Sequence, residues 1–132
     1  MSTLRGFLQM FHALLFWIAG IGLAAAQVNS IEAFDVTQQG GAIVVRVTTK
    51  EPLKSVPPNF TVASPARIAF DFAGTANALG RNAQEIGQGE LRSMNLVQAA
   101  DKTRLVLNLR RSVVHDARVD GKTLVITLQA AA

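Results

Sequence analysis

The sequence predicts an all-β fold: a two-sheet antiparallel β-sandwich of about eight short strands with an internal two-fold repeat. Three observations predict it. Residues 103–110 alternate, with Leu105, Leu107 and Leu109 on one face and Arg104, Val106, Asn108 and Arg110 on the other, the period-two mark of a half-buried strand. Residues 43–48 echo this, with Ile43, Val45 and Val47 inward and Arg46 outward. The spacing of Ile31, Phe34 and Val36 also returns in Leu91, Met94 and Leu96. Strands with one dry face each call for two sheets packed face to face, with a small closed barrel as the alternative.

In order along the chain, residues 1–5 carry one basic side chain, Arg5, and residues 7–23 are apolar apart from Gln9, His12 and glycines. Ala24-Ala25-Ala26 supplies the small side chains that signal peptidase accepts, so residues 1–26 are expected to be a cleavable signal peptide. An uncleaved membrane anchor is the alternative, although the apolar run is at the short limit for a span. One β domain over residues 27–129 follows, and 130–132 reads as a tail or truncation point. Cysteine is absent, which excludes disulfides, thiolate chemistry and a lipoprotein anchor. Residues 1–26 hold one of the 13 Lys and Arg and none of the 9 Asp and Glu, leaving a modest 12 against 9.

Ile31, Phe34 and Val36 mark the first strand, Gln39-Gly40-Gly41 a turn, and residues 42–49 the second strand. Pro52, Pro57 and Pro58 place residues 50–59 outside any central strand. Phe60-Thr61-Val62 is a short strand, Ser64-Pro65 a turn, and residues 68–72 a strand with Ile68, Phe70 and Phe72 inward. Residues 74–89 contain four glycines and read as a long crossover or surface loop, with at most one helical turn over 75–79. Leu91, Met94 and Leu96 then switch parity at the same point as Ile31, Phe34 and Val36, which predicts a β-bulge in both strands. Ala100-Asp101-Lys102 turns the chain into the strand over 103–110. Residues 113–119 form the next strand, Asp120-Gly121 a hairpin turn, and Leu124, Ile126 and Leu128 match Ile68, Phe70 and Phe72.

Little chemistry is available. His12 lies in the leader, so His115 stands alone and cannot build a multi-histidine zinc site in one chain. Ser112 and His115 are close in sequence, but spacing alone makes no nucleophile, and no enzyme activity, metal or cofactor is expected. Asp71 alternates with the inward residues and faces outward beside a cationic neighbour. The pI near 10.4 raises nucleic acid as a partner. Scattered cations argue against it, as do Phe34, Phe60, Phe70 and Phe72 at core positions, which leave no stacking platform. The same deficit argues against a sugar-stacking lectin site. What remains is a set of outward cations: Arg46, Arg67, Arg92, Arg104 and Arg110. Arginine pairs with carboxylates through two parallel hydrogen bonds, and the peptide stems of the cell wall present such groups to an exported protein.

Pro65-Ala66-Arg67-Ile68-Ala69-Phe70-Asp71-Phe72-Ala73-Gly74 resembles the first signature of AMIN domains. Leu91-Arg92-Ser93-Met94 with Thr103-Arg104-Leu105-Val106-Leu107-Asn108-Leu109 resembles the second. Residues 29–36 and 89–95 are especially similar to the N-terminal region of outer-membrane secretins of type IV pili. The resemblance implies a β-sandwich that binds peptidoglycan and holds its parent machine in the periplasm, outer-membrane associated through a secretin that forms oligomers. Arg67, Arg92 and Arg104 fall within the signatures, as wall contacts or as braces of the fold. The alternatives are a module that docks other periplasmic pilus components through its sheet edges, and a targeting domain of a cell-wall amidase.

Overall fold

The computed structural model describes residues 28–130, so the expected signal peptide lies outside the described residues. Ten strands are present: β1 (Asn29–Gln39), β2 (Ala42–Thr49), β3 (Asn59–Ala63), β4 (Ala66–Ala73), β5 (Thr75–Asn77), β6 (Ala83–Gln88), β7 (Leu91–Gln98), β8 (Lys102–Leu109), β9 (His115–Asp120) and β10 (Thr123–Leu128). Sheet A has the order β5-β1-β2-β10-β9 and sheet B the order β3-β4-β8-β7-β6. Every pairing is antiparallel except the three-residue contact of β5 with β1. The fold is the predicted all-β sandwich.

The alternation read from the sequence sets the core. Ile43, Val45 and Val47 of β2 and Leu124, Ile126 and Leu128 of β10 face Ile68, Phe70 and Phe72 of β4 and Leu105, Leu107 and Leu109 of β8, all at most 4% exposed. Such burial stabilises by roughly 25 cal/mol per Å² of apolar surface removed from water. Without disulfides, this interdigitated layer is what holds the two sheets together.

Both predicted bulges are present. The β1–β2 register shifts between Ile31 and Ala33, and the β7–β8 register shifts between Leu91 and Ser93. One extra residue in each strand, Glu32 or Arg92, breaks the alternation and re-aims the following side chains. The two halves are interleaved. Hairpin β1–β2 lies in sheet A and β3–β4 in sheet B, whereas β7–β8 joins sheet B and β9–β10 joins sheet A. Each sheet therefore takes one hairpin from each half of the chain.

Three expectations about strand and turn boundaries need correction. The stretch 74–89 contains two strands rather than a loop with a helical turn, which raises the count from eight to ten. Thr75 is buried, its hydroxyl donating to Ala73 O at 2.8 Å while its carbonyl accepts from the Thr103 hydroxyl at 2.7 Å. Those anchors hold residues 75–77 extended along β1. The strand expected over 113–119 begins at His115, and Val114 is exposed in the connection before it. The β9–β10 turn is Gly121-Lys122 rather than Asp120-Gly121, because Asp120 pairs with Thr123. Gly121 has φ 62° and Lys122 has no positive φ, which fits the hairpin turn with glycine at its first central position.

Candidate functional site

Strand registers place the outward side chains of sheet B in cross-strand rows. One row runs Val62, Arg67, Asn108, Ser93, Glu85 across β3, β4, β8, β7 and β6. The next runs Phe60, Ala69, Val106, Asn95, Ala83. A third holds Asp71, Arg104 and Val97. A shallow groove of about 370 Å³ lies along this face, lined by Arg67, Asn82, Asn95, Asn108, Val106 and Ala83 among others.

At one end of the face Asp71 holds two cations. Arg104 donates from Nε to Asp71 Oδ1 at 2.7 Å and from a terminal nitrogen to Oδ2 at 3.0 Å, and Lys102 Nζ lies 3.3 Å from Oδ2. The Arg104 hydrogen bonds hold the Asp71 carboxyl below its ordinary value of 3.8; partial burial opposes them, and the Lys102 hydrogen bond adds to them. The same contact raises the pKa of Arg104. The Arg104 guanidinium also sits 5.0 Å from the centroid of the Phe60 ring, within cation–π range. Phe60 is 44% exposed, which corrects its expected core position. The register sets its side: Phe60 lies opposite Ala69 on the outer face, whereas Thr61 lies opposite the inward Ile68.

The five arginines do not share one surface. Arg67, Arg92 and Arg110 lie towards the other end of sheet B, each in a different place: Arg67 on β4 opposite Asn108, Arg92 in the β7 bulge beside Ser93, and Arg110 just beyond β8. Arg110 donates from Nε to Gly89 O at 3.0 Å. Among the described residues Arg67 has neither a carboxylate within 4 Å nor a side-chain hydrogen bond. Arg46 lies on the outer face of sheet A, between Asp35 and Val125 in register, with the Thr37 hydroxyl 3.4 Å away.

Beside Arg67, the Asn108 amide nitrogen donates to Ser93 Oγ at 3.0 Å and to Asn95 Oδ1 at 2.7 Å. That leaves the Asn95 amide nitrogen as a donor and the Asn108 Oδ1 as an acceptor, both without another side-chain partner among the described residues. The alternation of residues 103–110 puts Asn108 outward, but no such pattern singles out Asn95 and Ser93. Their only signal was parity after the bulge, where the outward positions are 93 and 95.

A second feature is the edge of β1. Strand β5 covers only Asn29, Ser30 and Ile31. The two-residue loop Gly40-Gly41 makes Gln39 and Ala42 a hydrogen-bonded pair, and alternation from there turns the N–H and C=O groups of Phe34, Val36 and Gln38 away from β2. In β7 the equivalent residues are covered: Met94 pairs with Gln84, and Leu96 donates its N–H to Asn82 O at 2.9 Å. Met94 and Leu96 are accordingly buried, whereas Phe34 and Val36 are half-buried beside Ile86, with Arg81 5.2 Å from the Phe34 ring centroid.

A family model described as the AMIN domain matches residues 31–128. The chain belongs to the AMIN domain family. Its signature segments place that membership on sheet B, since residues 65–74 form β4 with its flanks and residues 103–109 lie in the neighbouring β8. This AMIN chain is 34% identical over 116 residues to the fimbrial assembly protein PilQ of Pseudomonas aeruginosa, covering 83% of this chain and 16% of that protein. It is 27% identical over 110 residues to the type IV pilus biogenesis and competence protein PilQ of Neisseria gonorrhoeae, covering 79% and 15%. The chain thus spans about a sixth of the length of the curated relatives it matches.

Proposed function

We propose that this AMIN domain is a non-catalytic peptidoglycan-binding module that anchors a PilQ-like secretin in the periplasm for type IV pilus biogenesis. The observation that carries the reading is the Arg67 guanidinium in the groove on sheet B, unpaired among the described residues, with Arg92 and Arg110 outside the groove but towards the same end of the sheet. Guanidinium groups take carboxylates through two parallel hydrogen bonds, and the wall supplies them on every peptide stem. Arg104 plays a different part: engaged by Asp71 and stacked over Phe60, it braces the face beside the groove. Arg46 offers a separate contact on sheet A. One exposed pair contributes little, so useful affinity arises when many copies in a secretin ring engage one polymer. Residues 1–26 act as the cleavable signal peptide, and residues 27–129 are the binding domain.

The test is co-sedimentation of residues 27–132, which hold both sheets and the core of the described residues, with purified sacculi across a salt series. Pelleting is expected to fall as salt rises and to be lost in a folded variant carrying Arg67→Gln, Arg92→Gln and Arg110→Gln. Absence of pelleting at low salt contradicts the reading. The β1 edge, open beyond Ile31 among the described residues, favours a second reading, in which an extended segment of a periplasmic partner adds as a strand against Phe34, Val36 and Gln38. That association is expected to be far less sensitive to salt.

A further inference from the structure

We infer that the groove on sheet B reads the peptide stem of the wall and not its glycan, an inference that rests on the wall-binding reading above. Glycan sites stack sugar rings on open aromatic faces. The exposed ring on this surface, Phe60, carries the Arg104 guanidinium over its face at 5.0 Å, and no aromatic side chain lines the groove. What the groove presents is chemistry for peptides. Arg67 is a free cation suited to a carboxylate. The Asn108–Asn95 pair leaves one amide donor and one carbonyl acceptor unbonded, the complement of a peptide C=O and N–H. Ala83 and Val106 provide an apolar floor for methyl side chains.

The cross-strand row adds polarity. Arg67, Asn108, Ser93 and Glu85 occupy one row on four neighbouring strands, with Glu85 just beyond the groove, in the adjoining depression lined by Phe34, Asp35 and Arg81. At a spacing of about 4.8 Å per strand, roughly 14 Å separates the cationic and anionic ends. A short extended peptide bearing a free carboxylate at one end and a free amine towards the other matches that order. The stems, with their carboxylates, amides, alanine methyls and diamino-acid amine, have this composition. The glycan, built of hydroxyls, acetamido groups and lactyl ethers on rigid rings, does not, since its lactyl carboxyls are tied up in the amide bonds to the stems.

The test is competition for the domain bound to intact sacculi. One competitor is the soluble stem peptide released by an N-acetylmuramoyl-L-alanine amidase; the other is the glycan strand left behind, with the lactyl carboxylates that the cleavage frees capped as methylamides. The stem peptide is expected to displace the domain and the stripped glycan to leave it bound. The exposed substitution Arg67→Gln is expected to weaken stem-peptide affinity about two- to fivefold, and Asn108→Ala by a similar factor. Asn108 also bonds Ser93 and Asn95, so Arg67→Gln is the decisive variant. Displacement by glycan alone, or equal pelleting with stripped glycan, overturns the inference and leaves wall binding standing. Displacement by the peptide with unchanged affinity in Arg67→Gln overturns the assignment to this groove. Failure to pellet with intact sacculi overturns both readings.

Discussion

Asp71 shows how one carboxylate is tuned by its neighbours. Its pKa is depressed by Arg104 first and Lys102 second, so folding favours the ionised form. The resulting stabilisation is present above the ordinary value of 3.8 and is lost as pH falls through it toward the lower folded value. Asp71→Asn is therefore expected to lose less stability than the parent chain between about pH 5 and pH 3, measured as the shift in urea midpoint. Parallel losses would show that the pair is not coupled to folding. The outward setting of Asp71 beside a cation was legible from its alternation with Ile68, Phe70 and Phe72. Phe60 was not legible: in a five-residue edge strand, Phe60 and Val62 at a spacing of two read as inward, and only the pairing of Thr61 with Ile68 reveals the opposite facing.

Among the elements, β1 and β7 are the informative pair, because the repeat gives them equivalent positions in different surroundings. Met94 is 1% exposed under β6, and Met94→Ala is expected to cost about 2–5 kcal/mol. Phe34, half-buried at the open edge, is expected to cost less than half as much on Phe34→Ala despite its larger side chain. Urea unfolding of both variants checks this, and equal costs would mean that the β1 edge is covered in the folded protein. The bulges in both strands were legible because apolar parity switches at the same point in each half. Strands β5 and β6 were not. β5 has three residues and is held by Thr75 and its backbone partners, while β6 carries one inward aliphatic side chain, Ile86, among glutamines and glycine. Neither produces an apolar period long enough to register.

For the whole molecule, the exchange of hairpins between halves has a consequence for folding. Residues 28–89 contain β1–β2 of sheet A and β3–β4 of sheet B, and the central partners β10 and β8 come from the other half. A polypeptide of residues 28–89 alone is expected to give collapsed amide shift dispersion as a monomer. A dispersed monomeric spectrum would contradict the interleaved core. Two sheets and a repeat were legible from strand periodicity, but the exchange was not, since both pairings bury the same faces. Likewise the five outward arginines could be named from parity, yet their division between two sheets depends on which hairpins pair.

The most direct measurement of the central claim is backbone amide NMR of residues 27–132 during titration with soluble muropeptides. Concentration-dependent shifts are expected to cluster at Arg67, Ser93, Asn95 and Asn108, with Phe34, Val36 and Gln38 unmoved. Shifts confined to the β1 edge, or none at millimolar muropeptide, where a contact of about 4 kcal/mol is half-saturated, would contradict groove binding.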